Sequence, residues 1–202
     1  VRRPFVRLVA AVGERRWIFL LLLPWTLPAF LSPIRWDEMS FHLAYADQWV
    51  RAGRLTLDHF MRFQVAPFNW QVLQGVALMA GSPTLPHLLS WLAGLLAALT
   101  MDLLLRRLAV RPEVRVTAVV AFVLTPVAQR YMSVGMIDMP MIGLLAVSVY
   151  ALVELGDHTA PAPRDVVPVA LAAALFAGVK VLSLAYVPLF LALATGSLSM
   201  EV

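Results

Sequence analysis

Residues 116–153, VTAVVAFVLTPVAQRYMSVGMIDMPMIGLLAVSVYALV, hold only two charges, Arg130 and Asp138, in 38 positions. As a single helix rising 1.5 Å per residue the run would reach ~57 Å, about twice the ~30 Å of hydrocarbon in a bilayer. The chain must therefore go over and return, with its turn near residues 129–138, and the run reads as two membrane spans. Toward the amino terminus, residues 83–105 open with Pro83 and Pro86, which a first helical turn tolerates, and form another span. Asp102 stands four residues before Arg106, a spacing that predicts a local ion pair at the membrane edge. Residues 17–34 are uncharged and long enough for the first span. A cleavable signal peptide is the rival reading there, but the run is long, contains prolines and lacks a small-residue cleavage site. Toward the carboxyl terminus, residues 166–197 are apolar except for Lys180. At ~48 Å they are too long for one crossing and short for two, which predicts a tight pair of helices bending near residues 178–183. The expected fold is all-α: one polytopic membrane bundle of about six spans over residues 1–202, with interfacial helices in the first outer loop, residues 35–82.

Composition agrees with this reading. Of 202 residues, 61% are hydrophobic and 14% charged, with a mean hydropathy of +0.80, whereas a water-soluble globule is closer to half apolar. The pI near 10.1 says little about nucleic acid, because the arginines concentrate at the ends of spans. With the amino terminus inside, Arg2, Arg3, Arg7, Arg15, Arg16, Arg106, Arg107, Arg111, Arg115 and Arg164 all fall on the cytoplasmic side, as the positive-inside rule requires. Segments 35–82 and 129–138 and the bend at Lys180 then face outward. The strong Arg, Ala, Leu, Val and Pro bias points to a GC-rich bacterial gene; the outer face is periplasmic or lumenal, and the expected location is a bacterial cytoplasmic membrane with the active side periplasmic. The absence of cysteine excludes disulfide scaffolds, thiolate metal sites and cysteine nucleophiles. No G-x-G-x-x-G, P-loop, H-E-x-x-H or internal repeat occurs, so nucleotide chemistry has no support. Residues 156–165, GDHTAPAPRD, read as a polar linker. A start at Val1 and a stop directly after an apolar run read as a fragment or truncated product.

Chemistry concentrates in the first outer segment. Trp36-Asp37-Glu38-Met39-Ser40-Phe41-His42 follows the first span, and Phe41, Tyr45 and Trp49 recur every four residues while Asp47 and Arg51 pair on a polar face. This pattern predicts an amphipathic interfacial helix ending at Gly53. A second short helix is expected over residues 69–80, just after Pro67. Adjacent acids at a helix start cap free N–H groups. Held above a bilayer beside aromatic side chains, Asp37 or Glu38 also serves as a general base for a hydroxyl. Asp138 lies on an outer turn in an apolar hairpin, where ionisable groups face a cavity or a partner; its expected partner is Arg130. Lys180 either snorkels to the interface or binds an anionic lipid head group. His42, His59 and His87 fall on the outer side, but their spacing matches no metal-ligand motif, and no metal or cofactor is expected.

The order of these features resembles the GT-C class of polytopic glycosyltransferases, which includes protein O-mannosyltransferases and lipid A aminoarabinose transferases. The matching residues are Asp37-Glu38 with the continuation SFHLAYADQWVRAGRL, Pro67-Phe68 before a short helix, Asp138-Met139-Pro140, and Ala177-Gly178-Val179-Lys180. The resemblance implies transfer of a sugar from a polyprenyl-phosphate carrier to a hydroxyl of a lipid, glycan or protein acceptor on the outer face. It implies Asp37 as general base with Glu38 beside it, and Asp138, Lys180, His42 and Arg130 as candidates for contacts to substrate and carrier. Lys180 is flanked by Val179 and Val181, where the family usually has Thr before and an aromatic or small residue after. The alternative is a non-catalytic polytopic membrane protein, a transporter piece or an assembly subunit. Transporters, however, place ionisable residues near the midplane on paired repeats, and none is visible.

Overall fold

Proline and threonine decide where the first helices stop. The computed structural model describes residues 13–33, 35–56, 68–156 and 162–199. Helix α1, Arg16–Leu22, runs into a 3₁₀ turn, Leu23–Trp25, and then α2, Thr26–Ala29. Pro24 and Pro28 supply no amide hydrogen for a continuous ladder, so the uncharged stretch is segmented. A π turn, Glu38–His42, leads into α3, Leu43–Ala52, which ends at Gly53 in the left-handed conformation (φ +63°). Asn69–Met79 is α4, Leu85–Arg107 is α5 and Pro112–Leu124 is α6. Thr125, extended because Pro126 follows, ends α6, and its hydroxyl accepts from the Ala128 amide to start α7, Pro126–Tyr131. Then come α8, Asp138–Leu155, α9, Pro163–Ala177, α10, Val181–Leu184, and α11, Val187–Ser199. Every element is helical, and no strand occurs among the described residues.

Helix α5 is the axis of the bundle. It packs most extensively on α8 and also touches α1, α2, α4 and α6, while α8 carries α9 and α11 on its other side. Small residues permit the central contact: a Cβ at Gly143 of α8 would stand 2.7 Å from the backbone oxygen of Ala93 in α5. Around it Ile18, Leu22, Ala98, Val119, Val123, Met132 and Met139 form the buried apolar core. Helices α5 and α8 are long and apolar enough to cross a membrane; the apolar stretches Arg16–Ala29 and Val181–Leu193 are shorter. Leu171, Leu189 and Leu191 of α9 and α11 are exposed.

The ion pair expected between Asp102 and Arg106 does not form. Asp102 is 5% exposed and turns into the bundle, where Arg15 Nε donates to it at 2.6 Å and Arg115 stands 3.6 Å away. Arg106 stays at the surface and pairs with Glu14 at 3.2 Å. A carboxylate taken out of water needs cations that are buried with it, and the neighbour four residues away on the surface does not meet that need.

Candidate functional site

Four segments converge at the end of the bundle where α5 and α8 begin. The π turn contributes Glu38 and His42, α4 contributes Gln71 and Gln74, the loop before α8 contributes Gly135 and Asp138, and the break between α9 and α10 contributes Gly178 and Lys180. The aromatic stripe predicted on α3 sets the position of the π turn: Phe41, Tyr45 and Trp49 are buried and close over Phe68, with ring centroids 5.0–5.5 Å apart. The Asp47–Arg51 pair on its polar face forms as the spacing predicts, at 2.7 Å.

Hydrogen bonds join the segments into a ring. Glu38 Oε1 accepts from the Gly135 amide and stands 2.5 Å from His87 Nε2 of α5. The Gln74 amide donates to the Gly135 carbonyl at 2.7 Å, which fixes the loop that delivers Asp138 to the first turn of α8. Asp138 pairs with Lys180 at 3.0 Å. Two residues before Lys180, the Gly178 carbonyl accepts from the Asn69 amide at 2.9 Å. Asn69 begins the helix that carries Gln71, and Gln71 Nε2 lies 3.0 Å from His42 Nδ1, which returns the ring to the π turn. A Cβ at Gly178 would overlap the Asn69 side chain, which would have to turn away to admit it.

The adjacent carboxylates differ in environment. Glu38 is fully buried. Burial alone would raise its pKa, but the hydrogen bond and charge of His87 and the amides of Gly135 and Arg35 outweigh it and hold the group below its ordinary 4.5. Asp37 is exposed and makes no capping hydrogen bond at the start of the turn. His42 is pushed down to about 4, first by burial and also by Lys180, against the opposing pull of Asp138, Asp37 and Glu38. A neutral His42 accepts the Gln71 amide at Nδ1 and keeps its proton on Nε2.

The ring gathers Glu38, His42, Asp138 and Lys180, with Asp37 at its rim, but not Arg130. Arg130 is exposed on α7 and stacks over Tyr131, 5.6 Å from the ring centroid, and the cation that meets Asp138 is Lys180. His59 and Pro67 lie outside the described residues. Gln71, Gln74 and the role of His87 were missed from sequence. Two amides three residues apart on an otherwise apolar segment were the available signal, since that spacing puts both on one helix face. The Oε1 atoms of Gln71 and Gln74 are buried with no hydrogen-bond partner among the described residues. Chemically, the arrangement offers an exposed carboxylate that can take a proton and a half-exposed ammonium that can meet an anion. Compared with known proteins, the chain matches no family model, no curated protein and no solved structure.

Proposed function

We propose that the chain is a membrane glycosyltransferase of the GT-C kind, moving a sugar from a polyprenyl-phosphate carrier to an acceptor hydroxyl at the outer face. The observation that carries the reading is the contrast between Asp37, exposed at the rim of the site, and Glu38, buried and bonded through Oε1 to His87 and Gly135, in a site that also holds Lys180. Asp37 takes the acceptor's proton, the acceptor oxygen bonds to the anomeric carbon, and the sugar–phosphate bond breaks with its electron pair leaving on the lipid phosphate. Lys180 offsets the departing charge. Glu38, Asp138 and His42 hold these two groups in place.

In the same reading the chain crosses a bacterial cytoplasmic membrane six times: at residues 17–34, at 83–105, twice within 116–153 and twice within 166–197. The amino terminus is inside and the active side periplasmic. The distribution of polar groups along α5 supports this, since His87 near its start and Arg106 near its end are ~29 Å apart at 1.5 Å per residue, close to the hydrocarbon thickness.

The Lys180–Asp138 ion pair favours a second reading, a non-catalytic membrane protein in which Lys180 is only the counter-ion of a structural carboxylate. The purified chain offered a panel of synthetic undecaprenyl-phosphate monosaccharides with polyol, lipid and peptide acceptors separates the two. Release of undecaprenyl phosphate dependent on an acceptor supports the enzyme. Donor that is bound but never consumed across the panel supports the second reading.

A further inference from the structure

At the opposite ends of α5 and α8 from the carboxylate ring, a cavity of about 320 Å³ is lined by Arg15, Arg106, Arg107, Leu103 and Tyr150. Three of its five lining residues are arginines and none is acidic. The carboxylates nearby are already engaged. Among the described residues, Asp102 is shared by Arg15 and Arg115, Glu14 holds Arg106 and Glu154 holds Arg107. The Glu14 and Glu154 pairs are roughly half-exposed and therefore weak and readily exchanged for another anion. Guanidinium forks match phosphate oxygens in pairs, and the volume suits a small anionic head group.

Tyr150 is also a wall of a second cavity of about 380 Å³ between α8 and α9, whose other walls are the apolar Val147, Ala151, Leu155 and Pro168 and the charged Glu154, Arg164 and Asp165. An arginine-lined pocket that shares a wall with a slot whose apolar lining is Val147, Ala151, Leu155 and Pro168 is complementary to a molecule with a phosphate at one end and hydrocarbon at the other. The geometry points to a binding site for an anionic phospholipid at this end of the bundle, its phosphate against Arg106 and Arg107 and an acyl chain in the slot between α8 and α9. The site is separate from the carboxylate ring and needs no transfer chemistry.

Native mass spectrometry of the purified chain in neutral detergent tests it, with dioleoylphosphatidylglycerol, dioleoylphosphatidylcholine and sodium phosphate as probes. The glycerol lipid should bind at least about tenfold more tightly than the choline lipid. The double variant Arg106→Gln, Arg107→Gln should lose that preference, and Ala151→Phe, which fills the slot, should weaken the lipid with the arginines intact. Millimolar phosphate should leave the lipid bound. Equal binding of the two lipids, or an undiminished preference in both variants, overturns the site. Displacement of the lipid by phosphate alone overturns the lipid assignment in favour of a soluble phosphate. If the double variant does not fold, the Ala151→Phe result decides alone.

Discussion

At Glu38 the cost of burying a carboxylate is offset by His87 and by the amide of Gly135, so neutralising the side chain should weaken the fold. Glu38→Gln keeps an acceptor but loses the charge, and it is predicted to cost about 1–3 kcal/mol, read as a lower unfolding midpoint in detergent; an unchanged midpoint would show that the pair contributes nothing. His42 sets the response to acid. Its folded pKa of about 4 lies below its ordinary 6.5, so between these values the unfolded chain binds a proton that the folded chain refuses. Stability is then full above pH 6.5 and declines as the pH falls toward 4, by roughly 3 kcal/mol over the interval. Glu38, depressed below 4.5, adds stability that is full above that value and is lost as the pH falls from 4.5 through its folded pKa. His42→Gln should flatten the profile between pH 6.5 and 4.5, and a variant with the parental slope would refute this assignment. The chemistry-bearing residues Asp37, Glu38, Asp138 and Lys180 were legible in sequence because charge in an apolar chain is conspicuous. Their pairing was not, since the partner of Asp138 stands 42 residues away on a separate helix break, and Arg130 was merely closer along the chain.

Among the elements, the contact between α5 and α8 depends on how closely two backbones approach. A Cβ at Gly143 would meet the fixed backbone oxygen of Ala93 at 2.7 Å, whereas one at Gly94 would meet the movable side chain of Met132 at 2.9 Å. Gly143→Ala should therefore cost about 1–3 kcal/mol and Gly94→Ala distinctly less, measured as unfolding midpoints; equal losses would mean that the helices slide apart freely. Helix α3 was readable to within a residue or two, because its aromatic stripe, its ion pair and Gly53 are local signals, and the stripe packs inward on Phe68. The segmentation of residues 116–153 was less so. The length of the run predicts the turn at 129–138, and residues 132–137 do connect the helices there, but the ladder also breaks at Thr125. Thr125-Pro126 was the signal for that break, since a residue before proline avoids the helical conformation.

Across the whole molecule, Glu38, Asp138 and Lys180 meet at one end of the bundle and Arg15, Arg106, Arg107 and Arg115 with their carboxylate partners at the other, and the orientation of these ends is open to direct measurement. The chain has no cysteine, so single reporters are clean. Arg54→Cys and Arg130→Cys, both at exposed positions, should react with an impermeant thiol reagent in intact cells, and Leu108→Cys only after permeabilisation. Ser133 is a poor reporter site, being 4% exposed and bonded to the Trp25 carbonyl. Labelling of Leu108→Cys with protection of the other two would invert the topology. The number of spans could be read from hydropathy only as lengths of apolar chain, because composition does not say which short helices tilt, break or lie flat. The division of labour between Asp37 and Glu38 is the centre of the account, and acceptor-dependent release of undecaprenyl phosphate by Asp37→Asn, measured alongside its unfolding midpoint, tests it most directly. The account predicts an unchanged midpoint, because Asp37 is exposed, and a rate lower by about 10²- to 10⁴-fold; release above a tenth of the parental rate would contradict it.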